Sequence, residues 1–216
     1  MKKHIICFGD SNTHGYCADP ADCADGGIRF NEAERWPCLL QKALGEEYLI
    51  CEEGLNGRTT VFVDPINEGM DGLSYLPACL NTHEPVSLLI LMLGTNDTKA
   101  RFSASAGCIA AGMERLIVKA KTVNCWAGGT PNILLIAPPP IEPGMESTPT
   151  VETHGYGAVE KAGQLAHYYA AVAQRQQVHF ADAAGCPMNT ADYMHLTREG
   201  HAMLARRLSR LVPDLV

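Results

Sequence analysis

The chain has 216 residues, 46% hydrophobic and 19% charged, with a mean hydropathy of −0.05, the composition of a folded soluble domain and not of a disordered one. A net charge of −7 without any Lys/Arg-rich run argues against nucleic acid as a partner. The apolar run after Met1-Lys2-Lys3-His4 stops at Gly9-Asp10, too short for a signal-peptide core or a membrane span, so no membrane partner is expected and the cytoplasm is the expected location.

The first element is an apolar run over residues 4–8 that has the look of a buried parallel strand. An irregular stretch over 19–31 follows, then a helical pattern carried by Trp36, Leu39, Leu40, Ala43 and Leu44. A second strand is predicted over 48–51 and a second irregular stretch over 61–72. The strand at 88–93 leads to a helix marked by Ile109, Met113, Leu116 and Ile117, and the strand at 133–137 to a third irregular stretch over 138–156. That stretch opens with Pro138-Pro139-Pro140, read as a stiff wall rather than a linker. Leu165, Tyr168, Tyr169 and Val172 then mark a helix, residues 178–181 a weaker strand, and Leu204, Leu208 and Leu211 a closing helix. Strands alternating with helices require right-handed crossovers over both faces of a parallel sheet. The expected fold is therefore α/β, a three-layer α/β/α sandwich on a flavodoxin-like five-stranded parallel sheet, forming a single domain over 1–216.

In such sheets ligands bind beyond the carboxyl ends of the strands, so polar residues just after strands are where function is sought. The first strand runs into Gly9-Asp10-Ser11-Asn12-Thr13, where a glycine permits a tight turn that aims a hydroxyl at the crevice. Taken alone, Asp10 or Ser11 could equally cap the next helix. The second strand leads to Glu53-Gly54-Leu55-Asn56-Gly57-Arg58-Thr59-Thr60, in which either glycine allows a backbone N–H to approach a ligand or simply makes a turn. The third ends in Leu93-Gly94-Thr95-Asn96-Asp97, placing the Asn96 amide either against a developing oxyanion or in an Asx turn. Near the C-terminus, Asp192 precedes His195 by three residues, a spacing that can set a carboxylate against one ring nitrogen and leave the other to take a serine proton. His201 lacks an acidic residue at a suitable upstream spacing.

Together these four segments resemble the SGNH, or GDSL-type, hydrolases, in the right order over nearly the whole chain. The resemblance implies Ser11 as nucleophile, Asp192 and His195 as its base pair, and the N–H groups of Ser11 and Gly57 with the Asn96 amide as the oxyanion hole. It selects Gly57 over Gly54 because Gly57 directly precedes a polar residue and the Thr59-Thr60 pair. Asp10, Asn12 and His14, which flank Ser11, are expected to contact substrate. The G-D-S-N-T, G-R-T-T and L-G-T-N-D-T-K strings are similar to a branch of bacterial arylesterases and acyltransferases, some of them oligomeric, so a homo-oligomer is an expectation of the resemblance alone. His14 stands where that branch tends to carry Trp, which bears on acyl-chain preference and not on the chemistry.

The expected activity is that of a serine esterase on a small-molecule ester, hydrolysing or transferring small acyl groups. A carbohydrate O-deacetylase or a lysophospholipase would use the same residues. The three irregular stretches offer few large apolar residues to line a long-chain tunnel, which favours small acyl groups, although Phe62, Met70 and Met145 weigh against this. A flavodoxin-like nucleotide-binding module is the non-enzyme alternative, but there is no GxxxxGK, and Gly155-Tyr156-Gly157 lacks the third glycine of a dinucleotide fingerprint. No HExxH or GxSxG is present, so neither a metal nor the α/β-hydrolase elbow is indicated, and no cofactor is expected. Nine cysteines with no CxxC pair suggest reduced fillers, and Cys7 lies inside a predicted strand where a thiol is inert.

Overall fold

The computed structural model describes residues 1–216. All five apolar runs form strands: β1 (Lys3–Gly9), β2 (Tyr48–Gly54), β3 (Val86–Met92), β4 (Ile133–Ala137) and β5 (His179–Asp182). They pair in parallel in the order β2-β1-β3-β4-β5. The helices are α1 (Ser11–His14), α2 (Trp36–Leu44), α3 (Gly72–Thr82), α4 (Ala106–Lys121), α5 (Thr150–His154), α6 (Ala158–Gln176) and α7 (Arg198–Leu211). None of them is long and apolar enough to cross a membrane.

The strand runs are continuously apolar because helices cover both sheet faces. Ile6, Phe8, Leu89, Leu91, Ile133 and Leu135 face one core, built with α3, α4 and α6. Their neighbours Ile5, Cys7, Leu88, Ile90, Leu134 and Ile136 face the other, built with α2 and α7. This is the period-two alternation of a strand with each face buried. The α/β/α sandwich predicted from the sequence is the observed fold.

Helix α3 was not predicted. Pro77 sits inside it, removing a backbone donor that a helix normally uses. The helix persists because Leu76, Cys79 and Leu80 pack into the core and the Asp71 carboxylate accepts the Ser74 N–H at 2.8 Å as an N-cap. The short helix α5 likewise interrupts the stretch expected to be irregular over 138–156. The chain leaves β1 toward β2 on one side and β3 on the other, so the direction of winding reverses at β1. A crevice is expected beyond the carboxyl ends there.

Candidate active site

Asp10 caps α1, its Oδ1 accepting the Asn12 N–H at 2.9 Å, and Gly15 closes the helix in the left-handed region at φ 88°. The capping alternative therefore belongs to Asp10, while Ser11, the first helical residue, turns its hydroxyl toward the C-terminal loop. Ser11 Oγ lies 2.8 Å from His195 Nε2, and His195 Nδ1 lies 2.5 Å from Asp192 Oδ2. Residues 184 positions apart thus meet in one hydrogen-bonded chain.

The base loop is fixed by its own polar atoms. Asp192 Oδ1 accepts the N–H groups of Met194 and His195 at 3.0 and 3.1 Å and the Asn189 amide at 2.9 Å. Burial pushes the Asp192 carboxyl up, but the hydrogen bond and charge of His195 and the other donors outweigh it, bringing its pKa down to about 2. Asn189 also donates to the His195 carbonyl at 2.7 Å. Tyr193, between acid and base, takes a left-handed φ of 57°, a conformation that costs a side-chain-bearing residue on the order of 1 kcal/mol. The Tyr16 ring leans on the imidazole at a centroid distance of 4.7 Å.

Two further strand ends complete the crevice. Gly54 ends β2 where a Cβ would meet the His14 backbone at 2.2 Å, so this glycine serves the close approach of α1 to the sheet. Gly57 has φ 83° and lines the crevice instead. Asn96 donates one amide proton to the Arg58 carbonyl at 3.2 Å, and the second N–H of that amide remains for the crevice it lines. Asp97 ties the same two segments together, accepting the Thr60 N–H at 2.9 Å and the Thr60 hydroxyl at 2.5 Å.

The structure brings Ser11, Gly57, Asn96, Asp192 and His195 onto one crevice of about 270 Å³. It does not bring Asp10, Asn12 or His14 there. Asp10 and Asn12 are each 1% exposed, with their polar atoms turned into the protein. Asn12 Oδ1 accepts the Leu196 N–H at 2.9 Å and its Nδ2 donates to the Met194 carbonyl at 3.2 Å, stapling the serine turn to the histidine loop. Burial raises the Asp10 pKa to about 6 against the lowering effects of the Asn12 N–H and the His195 charge. His14 packs beside Arg29, which bonds its carbonyl at 2.9 Å, and burial followed by that positive charge lowers its pKa.

Sequence reasoning missed Tyr16, Lys99, His154 and Asn189. Lys99 follows the Asn96 turn and lines the crevice with Thr150, Thr153 and His154. His154 bonds the Thr98 hydroxyl at 2.8 Å, and burial together with the Lys99 charge lowers its pKa to about 3, so it is a neutral wall residue. Nothing local to α5 signals this, but the spacing of Asn189 before Asp192 is a capping pattern that could have been read. His201 is buried in α7, its Nδ1 accepting the first N–H of α2 from Trp36 at 3.3 Å. Burial raises the Cys7 thiol well above its usual range.

Away from the crevice, Glu53, Cys79 and His83 each bring a ligand atom within 4.8 Å of the others. The Glu53 carboxylate is already engaged, with His83 Nε2 at 2.7 Å and the Tyr75 hydroxyl donating to it at 3.1 Å. A second cavity of about 500 Å³ adjoins the crevice at Thr153 and His154, lined also by Ile66, Arg101 and Glu152.

The model of the GDSL-like lipase/acylhydrolase family matches residues 7–203. Among solved structures, the aryl esterase of Mycobacterium smegmatis is 36% identical, covering 99% of this chain and 100% of its own, with a TM-score of 0.88. Est24, a carbohydrate acetylesterase from Sinorhizobium meliloti, is 34% identical over the whole of both chains, also at a TM-score of 0.88. Another carbohydrate acetylesterase family member from that organism is 31% identical, covering 99% of this chain and 98% of its own, at 0.84. No curated protein matches the chain.

Proposed function

The chain belongs to the GDSL-like lipase/acylhydrolase family and is a carboxylic ester hydrolase, and on that premise we propose that it works through a Ser11 acyl-enzyme on esters of small acyl groups. Ser11 Oγ bonds to the carbonyl carbon as His195 Nε2 takes its proton, and the carbonyl π pair moves onto oxygen. The N–H groups of Ser11 and Gly57 and the Asn96 amide receive that oxyanion. The tetrahedral species then breaks its ester C–O bond, and the leaving oxygen collects the proton from His195. Water or another alcohol attacks the acyl-enzyme with His195 again as base, and the proton returns to Ser11 Oγ. Asp192 holds the ring in the tautomer that leaves Nε2 free and stabilises the imidazolium as it forms.

The observation that carries this reading is the continuous chain from Ser11 to His195 to Asp192, at 2.8 and 2.5 Å, on the crevice that Gly57 and Asn96 also line. At about 270 Å³ the crevice is below the range of about 300–1,000 Å³ usual for larger ligands, which favours a small acyl group. Only Tyr16 and Met194 among its twelve lining residues are hydrophobic. That polarity favours a hydroxylated leaving group, so deacetylation of carbohydrates is the second reading, and a lysophospholipase is disfavoured. The test is labelling by a fluorophosphonate probe. Wild type is expected to label and Ser11→Ala not to, and labelling that persists in Ser11→Ala overturns the assignment.

A further inference from the structure

Lys99 is 9% exposed and lines the crevice beside Asn96; its backbone N–H donates to the Asn96 carbonyl, but its ammonium donates no hydrogen bond within the protein. The ammonium itself is not sealed from solvent, and its three donors remain available to a ligand in the crevice the residue lines. The nearest carboxylate, Asp64, has its Oδ2 4.0 Å from Lys99 Nζ. That group is already taken by Arg101, whose Nε and Nη2 approach its two oxygens at 3.1 and 2.7 Å, and it also accepts the Ile66 N–H at 3.0 Å. The other acids whose charges reach Lys99 are Asp10 and Asp97, and neither accepts a hydrogen bond from it: Asp97 faces Thr60, while Asp10 Oδ1 faces the Asn12 N–H and its Oδ2 is buried without a partner. His154 stays neutral on the same wall and brings no acceptor charge. The cation that acts most on Lys99 is Arg101, which is paired with Asp64.

We propose that Lys99 is a specificity-determining residue that binds a carboxylate of the substrate, so that the preferred esters carry an anionic group close to the scissile bond. This rests on the reading of Ser11 as nucleophile and names the substrate class for that site. The carboxylate can belong to the acyl part, as in a dicarboxylic half-ester, or to the alcohol part, as in an acetylated hydroxy acid. Either fills the acceptor position that Asp64 leaves open, and the exchange of a hydrated ammonium for a charge-assisted bond in a half-enclosed crevice favours binding. The net charge of −7 works against any anion, so the preference must come from the local cation and not from the general field.

The experiment compares kcat/KM for matched pairs in wild type, Lys99→Met and Lys99→Arg. For the acyl arm the pair is nitrophenyl hemiglutarate against nitrophenyl pentanoate. For the alcohol arm it is 4-acetoxybenzoate against its methyl ester. The ratio of anionic to neutral ester is expected to exceed one in one arm of wild type, to fall about tenfold in Lys99→Met, and to be partly kept in Lys99→Arg. The arm that responds identifies the source of the carboxylate. A ratio unchanged by Lys99→Met in both arms overturns the inference, while fluorophosphonate labelling of Ser11 in the same samples reports separately on the nucleophile. Should Lys99→Met fail to fold, competition on wild type decides. Inhibition by benzoate stronger than by benzamide supports the inference, and the reverse order overturns it.

Discussion

The floor of the crevice and its outer wall are built on different terms. On the floor, the side chains that join segments make two or more buried bonds each: Asn12 reaches both Met194 and Leu196, Asn189 both Asp192 and His195, and Asp97 both the N–H and the hydroxyl of Thr60. The wall comes from Lys99 and 138–156, with 61–72 lining the adjoining cavity; Val63, Ile66 and Tyr156 stand exposed there, and the ties run to neighbouring segments, among them Arg101 to Asp64 and to the Thr153 carbonyl at 2.9 Å, and His154 to the Thr98 hydroxyl at 2.8 Å. Reaction geometry demands fixed donors and acceptors, whereas ligand choice needs only a shaped boundary. Changes to the floor should therefore act on turnover, and changes to the wall on stability and selectivity.

The largest effect is expected from Asp192→Asn. The shape survives, but the amide cannot hold His195 in the working tautomer or face an imidazolium, so kcat should drop on the order of 10⁴-fold. Steady-state rates on a nitrophenyl acetate series check this, and a loss below about tenfold would show that Asp192 only shapes the loop. Asn12→Ala should come next. It removes both bonds that join the serine turn to the histidine loop, so kcat is expected to fall about 10- to 100-fold with KM little changed, and stability by about 2 kcal/mol. Asn12→Asp keeps the acceptor for Leu196 N–H and loses the donor to Met194, so it should recover part of the rate. If Asn12→Asp is no faster than Asn12→Ala at equal melting temperature, the staple is not what sets the geometry.

The contrast also explains what could be read from the sequence. The strands were legible because each is a short apolar run buried on both faces, and Ser11, Asn96, Asp192 and His195 because each sits directly after a strand or in a compact motif. The structure places them together, as it does Gly57, whose selection over Gly54 needed the resemblance. Asn12 was misread because its partners lie 182 and 184 residues away, and no local pattern reports that a polar residue beside a serine faces inward. Lys99 and His154 were invisible for the same reason, since the wall assembles from segments that meet only in the fold. Pro77 hid α3 by breaking a local rule that core packing overrides.

On the wall, Arg101→Met tests the other half of the contrast. Asp64 is buried, and removing its bidentate partner leaves a charge that only Lys99, at 4.0 Å, can face. A stability loss of about 3 kcal/mol is expected, with kcat on a small neutral ester within about fivefold of wild type. Chemical denaturation and initial rates measure the two. A collapse of kcat in enzyme that remains folded at the assay temperature would erase the division between floor and wall.

The smallest effect should come from Asp10→Asn, and its diagnostic is pH. Asp10 Oδ2 is buried without a partner, and its pKa in the fold is about 6 against 3.8 for an ordinary Asp. A raised carboxyl pKa means that the native state holds the proton more tightly than the unfolded chain does. The cost of ionising Asp10 is therefore fully present above pH 6, and it is relieved as pH falls from about 6 toward 4. At pH 8 that cost is at most about 3 kcal/mol, from roughly two units at 1.36 kcal/mol each. Asn keeps the acceptor for the Asn12 N–H and carries no charge, and the same change relieves Asp97, whose pKa is raised to about 6 by burial first and by Asp10 in part. The new amide brings donors with no acceptor, which offsets about 2 kcal/mol. Asp10→Asn should thus be more stable than wild type by about 1 kcal/mol at pH 8, with the difference shrinking through pH 6, changing sign between about pH 6 and pH 5, and fully reversed at pH 4. Melting curves across that range read it directly, and a difference that stays constant from pH 8 to pH 4 would mean that Asp10 is not held ionised at a cost beneath Ser11.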